Sequence, residues 1–522
     1  MPADPATRDA SRGPGSWGAE TLLLGALTAG ALFGRLLQSR ESLWLDELHT
    51  AWTTLGALSE VVERAAVGNH SPPFFWIEWL VARALGPDEL SLRLVSLIAG
   101  AALLPLVFAV VRAWTDSAWL ALLAAGLLAL DPQATYYATE ARPYALVQVI
   151  AVAHVACFER LVRHPSGARR AMMIVGGAVL VHLHYTAALV LAAELAWYLW
   201  RRRAEHPAYA IGPLATDLAI LAFTLLPAFW LLPSLVSRRG LWALWVDQQS
   251  LWEGLRMIPW GTTAVLAVAA GAAARRFLSV PSHPPAGSRP PQSLVVAWLV
   301  LPVVLAWVAT ATDTARLLAP RYLAGSAPAA VVLLALALRA LPSRHLRLAA
   351  GLGVALVATT TSPTLRGLVT DGRMLSWRTD DWRSVVAYFN GHPGHREGIV
   401  MLRSLLIECD ARDVSDTPLA SYCLYPITST YLIDAAPERL EPVARGFDGE
   451  LAPTLRSRVE SDGSAWIILQ GASTTADGVE HQMVRSLSLD SGSRWTVRDR
   501  RSFGTVHILR ITRSPEAEGP GV

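Results

Sequence analysis

The chain reads as a mainly α, polytopic membrane protein with about eleven transmembrane helices, followed by a C-terminal extracytoplasmic α/β domain. The first observation behind this is compositional: of 522 residues, 52% are hydrophobic and only 17% charged, with mean hydropathy +0.35, where a soluble domain has roughly a quarter of its residues charged. The second is the recurrence of apolar stretches long enough to cross ~30 Å of hydrocarbon at ~1.5 Å per residue. The third is a change of character beyond the last span, over 379–522, where charges and turn residues crowd and apolar runs shorten. A net charge of +3 is too small to argue for nucleic acid. The 45 basic residues, all of them arginine, fall in short clusters between apolar stretches, where bilayer orientation explains them.

Residues 1–18 form a polar cytoplasmic tail with Arg8 and Arg12 ahead of the first span, and no small-residue cleavage pattern follows, so the first helix is expected to be an uncleaved signal anchor. The expected spans are 21–37, 90–111, 117–136, 143–158, 171–181, 186–200, 213–233, 259–274, 293–312, 322–338 and 346–365, within a transmembrane domain 19–365. Between Arg170 and Arg201 the pattern fits one long helix or two short ones hinged at His182-Leu183-His184-Tyr185. Two helices put the arginines from Arg160 to Arg170, Arg201 to Arg203, and Arg275 to Arg347 other than Arg316 and Arg321 on the cytoplasmic side. That parity leaves everything after Leu365 outside.

The same parity gathers four polar clusters on the outer face: Asp46-Glu47, Glu140-Ala141-Arg142-Pro143-Tyr144, His184-Tyr185, and the stretch from Arg316 to Tyr322. Ionisable residues are expensive in a bilayer and mark function where they converge. The first outer loop, 40–89, keeps helical spacing at Leu58, Val61, Val62 and Ala65, and its segment 74–85 sets Glu78 and Arg83 as a polar edge, which fits helices lying in the interface. A second outer loop, 234–258, carries Trp242, Trp245 and Trp252, with Trp260 just beyond, as an aromatic belt or as a wall for a lipid chain.

The outer domain 366–522 opens with Asp381 as the cap of a helix over 382–390, followed by strands at 398–402, 465–470 and 506–511. Cys409 and Cys423 either bridge, closing a loop of about fourteen residues worth roughly 3 kcal/mol, or remain thiols. Cys157 reads as packing within a span.

The motifs Ser42-Leu43-Trp44-Leu45-Asp46-Glu47, His70-Ser71-Pro72-Pro73-Phe74-Phe75, Leu92-Arg93-Leu94-Val95-Ser96, Glu140-Ala141-Arg142-Pro143-Tyr144, His184-Tyr185, Pro320-Arg321-Tyr322-Leu323 and Asp381-Trp382-Arg383 resemble, in their order and membrane side, the lipid-linked glycosyltransferases of the GT-C fold. The likeness is to bacterial relatives of the protein O-mannosyltransferases and of the aminoarabinose transferase acting on lipid A. It is dense up to Tyr185 and thin after Arg383.

The resemblance implies inverting transfer of a sugar from a polyprenyl-phosphate donor to a hydroxyl of an envelope glycan, lipid or protein, on the outer face of the cytoplasmic membrane. Such a reaction needs a base for the acceptor hydroxyl and cations for the leaving phosphate. Asp46 is the expected base. Glu47 orients it, binds acceptor, or holds a divalent cation such as Mg²⁺ or Mn²⁺, although no cofactor is assigned. Arg142 and Arg321 are expected at the phosphate because a guanidinium fork matches its oxygens, with Tyr144, Tyr322 and His184 as further donors. His70, Glu140 and Tyr185 are the expected substrate contacts. Structural alternatives stay open: Arg142 paired with Glu140, Arg321 with Asp313, His184 satisfying a turn, His70 fixing the loop before Pro72-Pro73. A transporter of lipid-linked sugar is the alternative of another class.

Overall fold

The computed structural model describes residues 16–204, 207–230, 232–237, 246, 248–277, 291–376, 378–403, 420–444, 446–491 and 493–514. The chain divides into two compact units, Met1–Ser39 with Asn69–Ile77 and Arg93–Ser376, and Arg40–Gly68 with Glu78–Leu92 and Trp377–Val522. Most of the loop 40–89 therefore groups with the C-terminal sheet.

In the helical unit, Gly18–Gln38, Glu89–Thr115, Tyr144–Arg163, Gln292–Ala311 and Pro320–Arg339 are each long and apolar enough to cross a bilayer. Two bent helix pairs raise these five to seven among the described residues, and Ile211–Thr224 and Gly261–Ala273 are shorter apolar helices. The protein is a multi-pass membrane protein.

Several expected spans are broken, and the breaks have local causes. The stretch 117–136 is two helices, Ala118–Ala129 and Pro132–Ala138, meeting at 67°. Pro132 has no N–H and drives Asp131 out of the helical region (ψ 120°), and the Asp131 carboxylate accepts the freed N–H groups of Gln133 and Ala134 at 2.8 and 2.9 Å. Ser362 before Pro363 does the same to the last span, which bends by 42° between Arg344–Thr361 and Pro363–Asp371. The helix Ile211–Thr224 stops just short of Pro227. Between Arg170 and Arg201 there are two helices, Gly167–Leu183 and Ala188–Ala204, joined by a 3₁₀ turn at Tyr185–Ala187.

The core of this unit is the helix Ala327–Arg339, buried from Ala327 to Leu338 and packed by Ala118–Ala129, Gln292–Ala311 and Gly261–Phe277. A helix apolar on every side belongs inside a bundle. Close by, His154 clasps three helices: its Nδ1 pairs with Glu194 Oε1 and its Nε2 with the Met173 carbonyl, both at 3.0 Å. This buried polar pair lies midway along the helices Tyr144–Arg163 and Ala188–Ala204.

The second unit holds a five-stranded sheet of order β2-β1-β3-β5-β4: β1 Ile399–Arg403, β2 Leu440–Val443, β3 Ser464–Gln470, β4 Trp495–Phe503 and β5 Val506–Arg513. β1 runs parallel to β2 and β3, and β5 antiparallel to β3 and β4. β3 is buried along its whole length, as a central strand of apolar residues should be. The helices Pro453–Asp462 and Ser473–Ser491 pack against this sheet through Val459, Ala476, Val479, Met483 and Leu487. The helix Trp382–Gly391 starts where expected: Asp381 Oδ1 accepts from Ser384 N at 3.0 Å. Cys423 is disulfide-bonded, and Cys409 lies outside the described residues.

The loop helices are Leu45–Leu55, Glu60–Val67 and Pro73–Leu85, with Val61 and Ala65 fully buried. The polar edge expected of Glu78 and Arg83 is corrected. Arg83 lies at the surface and donates to the carbonyls of Leu55 and Gly56, whereas Glu78 is fully buried. They are five positions apart, and on a helix that spacing separates faces.

Candidate functional site

In the helical unit the chemistry gathers where helices break. Arg142 precedes the helix Tyr144–Arg163, His184 and Tyr185 lie between Gly167–Leu183 and Ala188–Ala204, and Arg321 sits in the 3₁₀ turn Pro320–Ser326 ahead of Ala327–Arg339. The turn Pro320–Ser326 packs against both the turn Tyr185–Ala187 and the helix Tyr144–Arg163, so the three breaks meet. Trp298 Nε1 anchors the 3₁₀ turn by donating to the Gly325 carbonyl at 2.9 Å. The turn packs closely at Gly325: a Cβ there would stand 3.1 Å from Val190 Cγ2, so the valine would have to give by a few tenths of an ångström.

The side chains converge accordingly. The His184 ring stacks obliquely with those of Tyr144, Tyr185 and Tyr322 at centroid distances of 5.5, 6.0 and 5.8 Å, and Tyr137 lies 5.0 Å beyond Tyr144. The Arg321 guanidinium lies 5.2 Å over the Tyr322 ring. Burial, then the charges of Arg142 and Arg321, push the His184 imidazole down to about 3, so it is neutral at physiological pH with both guanidiniums within electrostatic reach. His184 Nδ1 hydrogen-bonds Thr186 Oγ1 at 2.7 Å. Burial also raises Tyr185, whose hydroxyl is buried without a hydrogen-bond partner among the described residues.

Arg142 donates through Nη2 to His70 Nε2, while its carbonyl accepts from Ser96 Oγ at 2.9 Å. His70 thus holds a guanidinium in place. Glu140 is fully buried two residues before Arg142. Asp313, the alternative partner of Arg321, is paired with Arg316 at 2.9 Å. Two arginines and four tyrosines gathered around a neutral imidazole make a set of side chains suited to an anion: guanidinium forks and hydroxyls donate, and three helix N-termini start beside them.

In the sheet-bearing unit, Asp46 and Glu47 occupy the first turn of Leu45–Leu55, where carboxylates complement the helix dipole. Their situations differ. Glu47 is fully buried: its Oε2 accepts the Trp44 N–H at 3.2 Å and a charge-assisted bond from Arg378 Nη2 at 2.7 Å. Asp46 is half-buried, and its carbonyl accepts from Thr50 Oγ1 at 3.3 Å. Next to Glu47 in charge, Glu78 has neither carboxyl oxygen hydrogen-bonded among the described residues, and burial, then Glu47, pushes its carboxyl well above the usual range. One turn along, His49 Nδ1 pairs with Tyr422 Oη at 2.9 Å, and Tyr422 stacks on Trp52 at 4.4 Å. Among the described residues no three His, Cys, Asp or Glu side chains come together as a metal site.

Sequence reasoning missed Arg378, the burial of Glu78, and Tyr137. Only Tyr137 had a signal, its place in the polar break before Glu140. Of the tryptophans expected as a belt, Trp242 and Trp245 lie outside the described residues, and Trp252 is exposed.

Residues 69–246 match the dolichyl-phosphate-mannose-protein mannosyltransferase family. Among curated proteins none matches the chain significantly. The crystal structure of ArnT from Cupriavidus metallidurans bound to undecaprenyl phosphate is similar with a TM-score of 0.52 at 14% identity, over 95% of this chain and 98% of that one. The Archaeoglobus fulgidus oligosaccharyltransferase in complex with Zn and sulfate aligns over 85% of this chain and 67% of that one at 12% identity, with a TM-score of 0.45, below what carries a fold assignment. The chain has the GT-C fold of that ArnT structure, and its family match is confined to residues 69–246.

Proposed function

We propose that the protein transfers a sugar from a polyprenyl-phosphate carrier to a hydroxyl of an envelope glycan or lipid on the outer face of the cytoplasmic membrane, with inversion at the anomeric carbon. In this reading the amino terminus is cytoplasmic and the sheet domain extracytoplasmic. The observation that carries it is the pairing of Arg142 and Arg321 around a neutral, buried His184. The undecaprenyl phosphate bound by the similar ArnT supports a lipid phosphate as the ligand of such a cluster.

The acceptor oxygen attacks the anomeric carbon, and the bond from that carbon to the phosphate oxygen breaks. Its electron pair stays on the phosphate, where Arg142 and Arg321 stabilise the growing charge, with Tyr144, Tyr322 and His184 as neighbouring donors. The acceptor proton passes to the Asp46 carboxylate. Glu47, already held by Arg378 and Trp44, positions the turn that carries Asp46. His70 orients Arg142, and Tyr185 and Glu140 contact substrate. The test is transfer from radiolabelled polyprenyl-phosphate sugars by the purified full chain and by Asp46→Asn. Transfer should fall by ~10²- to 10⁴-fold with donor binding retained; unchanged transfer rejects the assignment.

Two other readings each have an observation behind them. The matched family acts on protein, which favours a protein hydroxyl as acceptor. The mid-span pair of His154 and Glu194 favours transport of a lipid-linked sugar. An acceptor peptide in the same assay, and movement of labelled donor across sealed vesicles, separate them.

A further inference from the structure

Outside the groups already described, the sheet-bearing unit has a cleft of about 700 Å³ between the helix Ser473–Ser491 and β4, within the range of small-ligand sites. One helical face supplies Asp477, His481 and Arg485, four apart, and Val484, three beyond His481, as neighbours on a helix must be, and β4 with the residue before it supplies Arg494, Val497 and Arg500. Among the described residues, both acids that line the cleft are already engaged: Arg500 is clamped by Asp477 and, at 3.1 Å, by Glu480. That leaves Arg485 and Arg494, both exposed, with no counter-ion among the described residues. The floor between them is apolar, because Val484 and Val497 pack down onto the core of the sheet. An apolar floor under two uncompensated guanidiniums suits a sugar ring whose C–H face lies on the valines while its acidic group meets the arginines.

We propose that this cleft binds an acidic sugar residue, bearing a carboxylate or phosphate, of an envelope glycan. It deepens the proposed function by giving the acceptor its chemical class, and it rests on that reading for the term acceptor but not for binding.

The test uses the full chain in nanodiscs, titrated with oligogalacturonate, an uncharged malto-oligosaccharide and inorganic phosphate. The native protein should bind oligogalacturonate and not malto-oligosaccharide, and binding should vanish near 1 M NaCl, where screening reaches ~3 Å. Arg485→Gln with Arg494→Gln should weaken it about tenfold, the worth of ~1.4 kcal/mol, whereas Arg498→Gln on the same strand should leave it unchanged. A Lys pair at both positions, which keeps the charge, should restore part of the affinity and shows that the double variant is folded. Equal binding by the Gln pair, equal binding of the uncharged oligosaccharide, or phosphate alone binding as tightly as the oligosaccharide overturns the proposal. Asp46→Asn, which removes the base, should bind as the native chain does. If Asp46→Asn transfers normally while the Gln pair loses binding, the transfer reading fails and the cleft stands.

Discussion

In the sheet-bearing unit both candidate acids come from a single helical turn, whereas in the helical unit Arg142, His184 and Arg321 arrive from three breaks more than 40 residues apart in the chain. The difference follows from solvent. Where a helix crosses lipid its backbone must satisfy itself, so polar side chains cost least where a span ends or is interrupted, and interruptions from several helices gather together. At the start of a helix beside a sheet, four N–H groups already invite carboxylates, and one turn suffices. One site depends on packing between distant elements, the other on local geometry plus one long-range partner.

Breaking that partner should have the largest effect. Arg378→Met leaves Glu47 buried without its cation, an expected loss of ~3–5 kcal/mol, read as a lower denaturation midpoint; Glu47→Gln in the same chain should recover most of it. Full stability of Arg378→Met would mean that the acidic turn needs nothing beyond its own helix. Next, Arg142→Gln or Arg321→Gln should each cost ~10²- to 10³-fold in transfer, and Lys at either position should recover little because it lacks the fork. If only one of the two matters, the breaks do not act together.

A pH effect tests the same convergence. The His184 imidazole is held at about 3 against an ordinary 6.5, so below pH 6.5 the unfolded chain takes up a proton that the folded one refuses. The stability it contributes is complete above 6.5 and is lost as pH falls towards 3. In thermal unfolding, His184→Gln should flatten that dependence between pH 6 and 4; an unaltered slope would mean that burial and the two arginines do not hold His184 neutral. The smallest effect belongs to a local device: Asp381→Ala should cost ~1 kcal/mol through the lost helix cap, seen as a modest shift in midpoint with transfer unchanged.

Much of this was legible in the chain itself. Apolar length located five of the eleven expected spans, 21–37, 90–111, 143–158, 293–312 and 322–338, to within about five residues, since the bilayer sets that length regardless of partner; the others come out bent, broken or short among the described residues. The polar breaks at Arg142, His184 and Arg321 stood out because charges are rare between such stretches. The cap at Asp381 was readable from one residue and its position. Burial of Glu78 was not, because a glutamate on an apolar helix of that length looks the same whether it faces water or a neighbour. Strand β4 was hidden by Arg498, Asp499, Arg500 and Arg501, which break the alternation; as an edge strand it tolerates them. β2 is four residues with a proline, too short to register. The bends at Pro132 and Pro363 were missed although both prolines were in view, because hydropathy averages over the residues that cause them.

The bond between Glu47 and Arg378 joins positions 331 residues apart. A ribosome adding ~5–20 residues each second therefore exposes the glutamate ~20–60 s before its arginine exists. Throughout that interval the acidic turn has to wait in water with its carboxylate hydrated. Synthesis of the distal segment is then the event that sets the turn, which makes completion of the chain the moment at which Asp46 acquires its final surroundings.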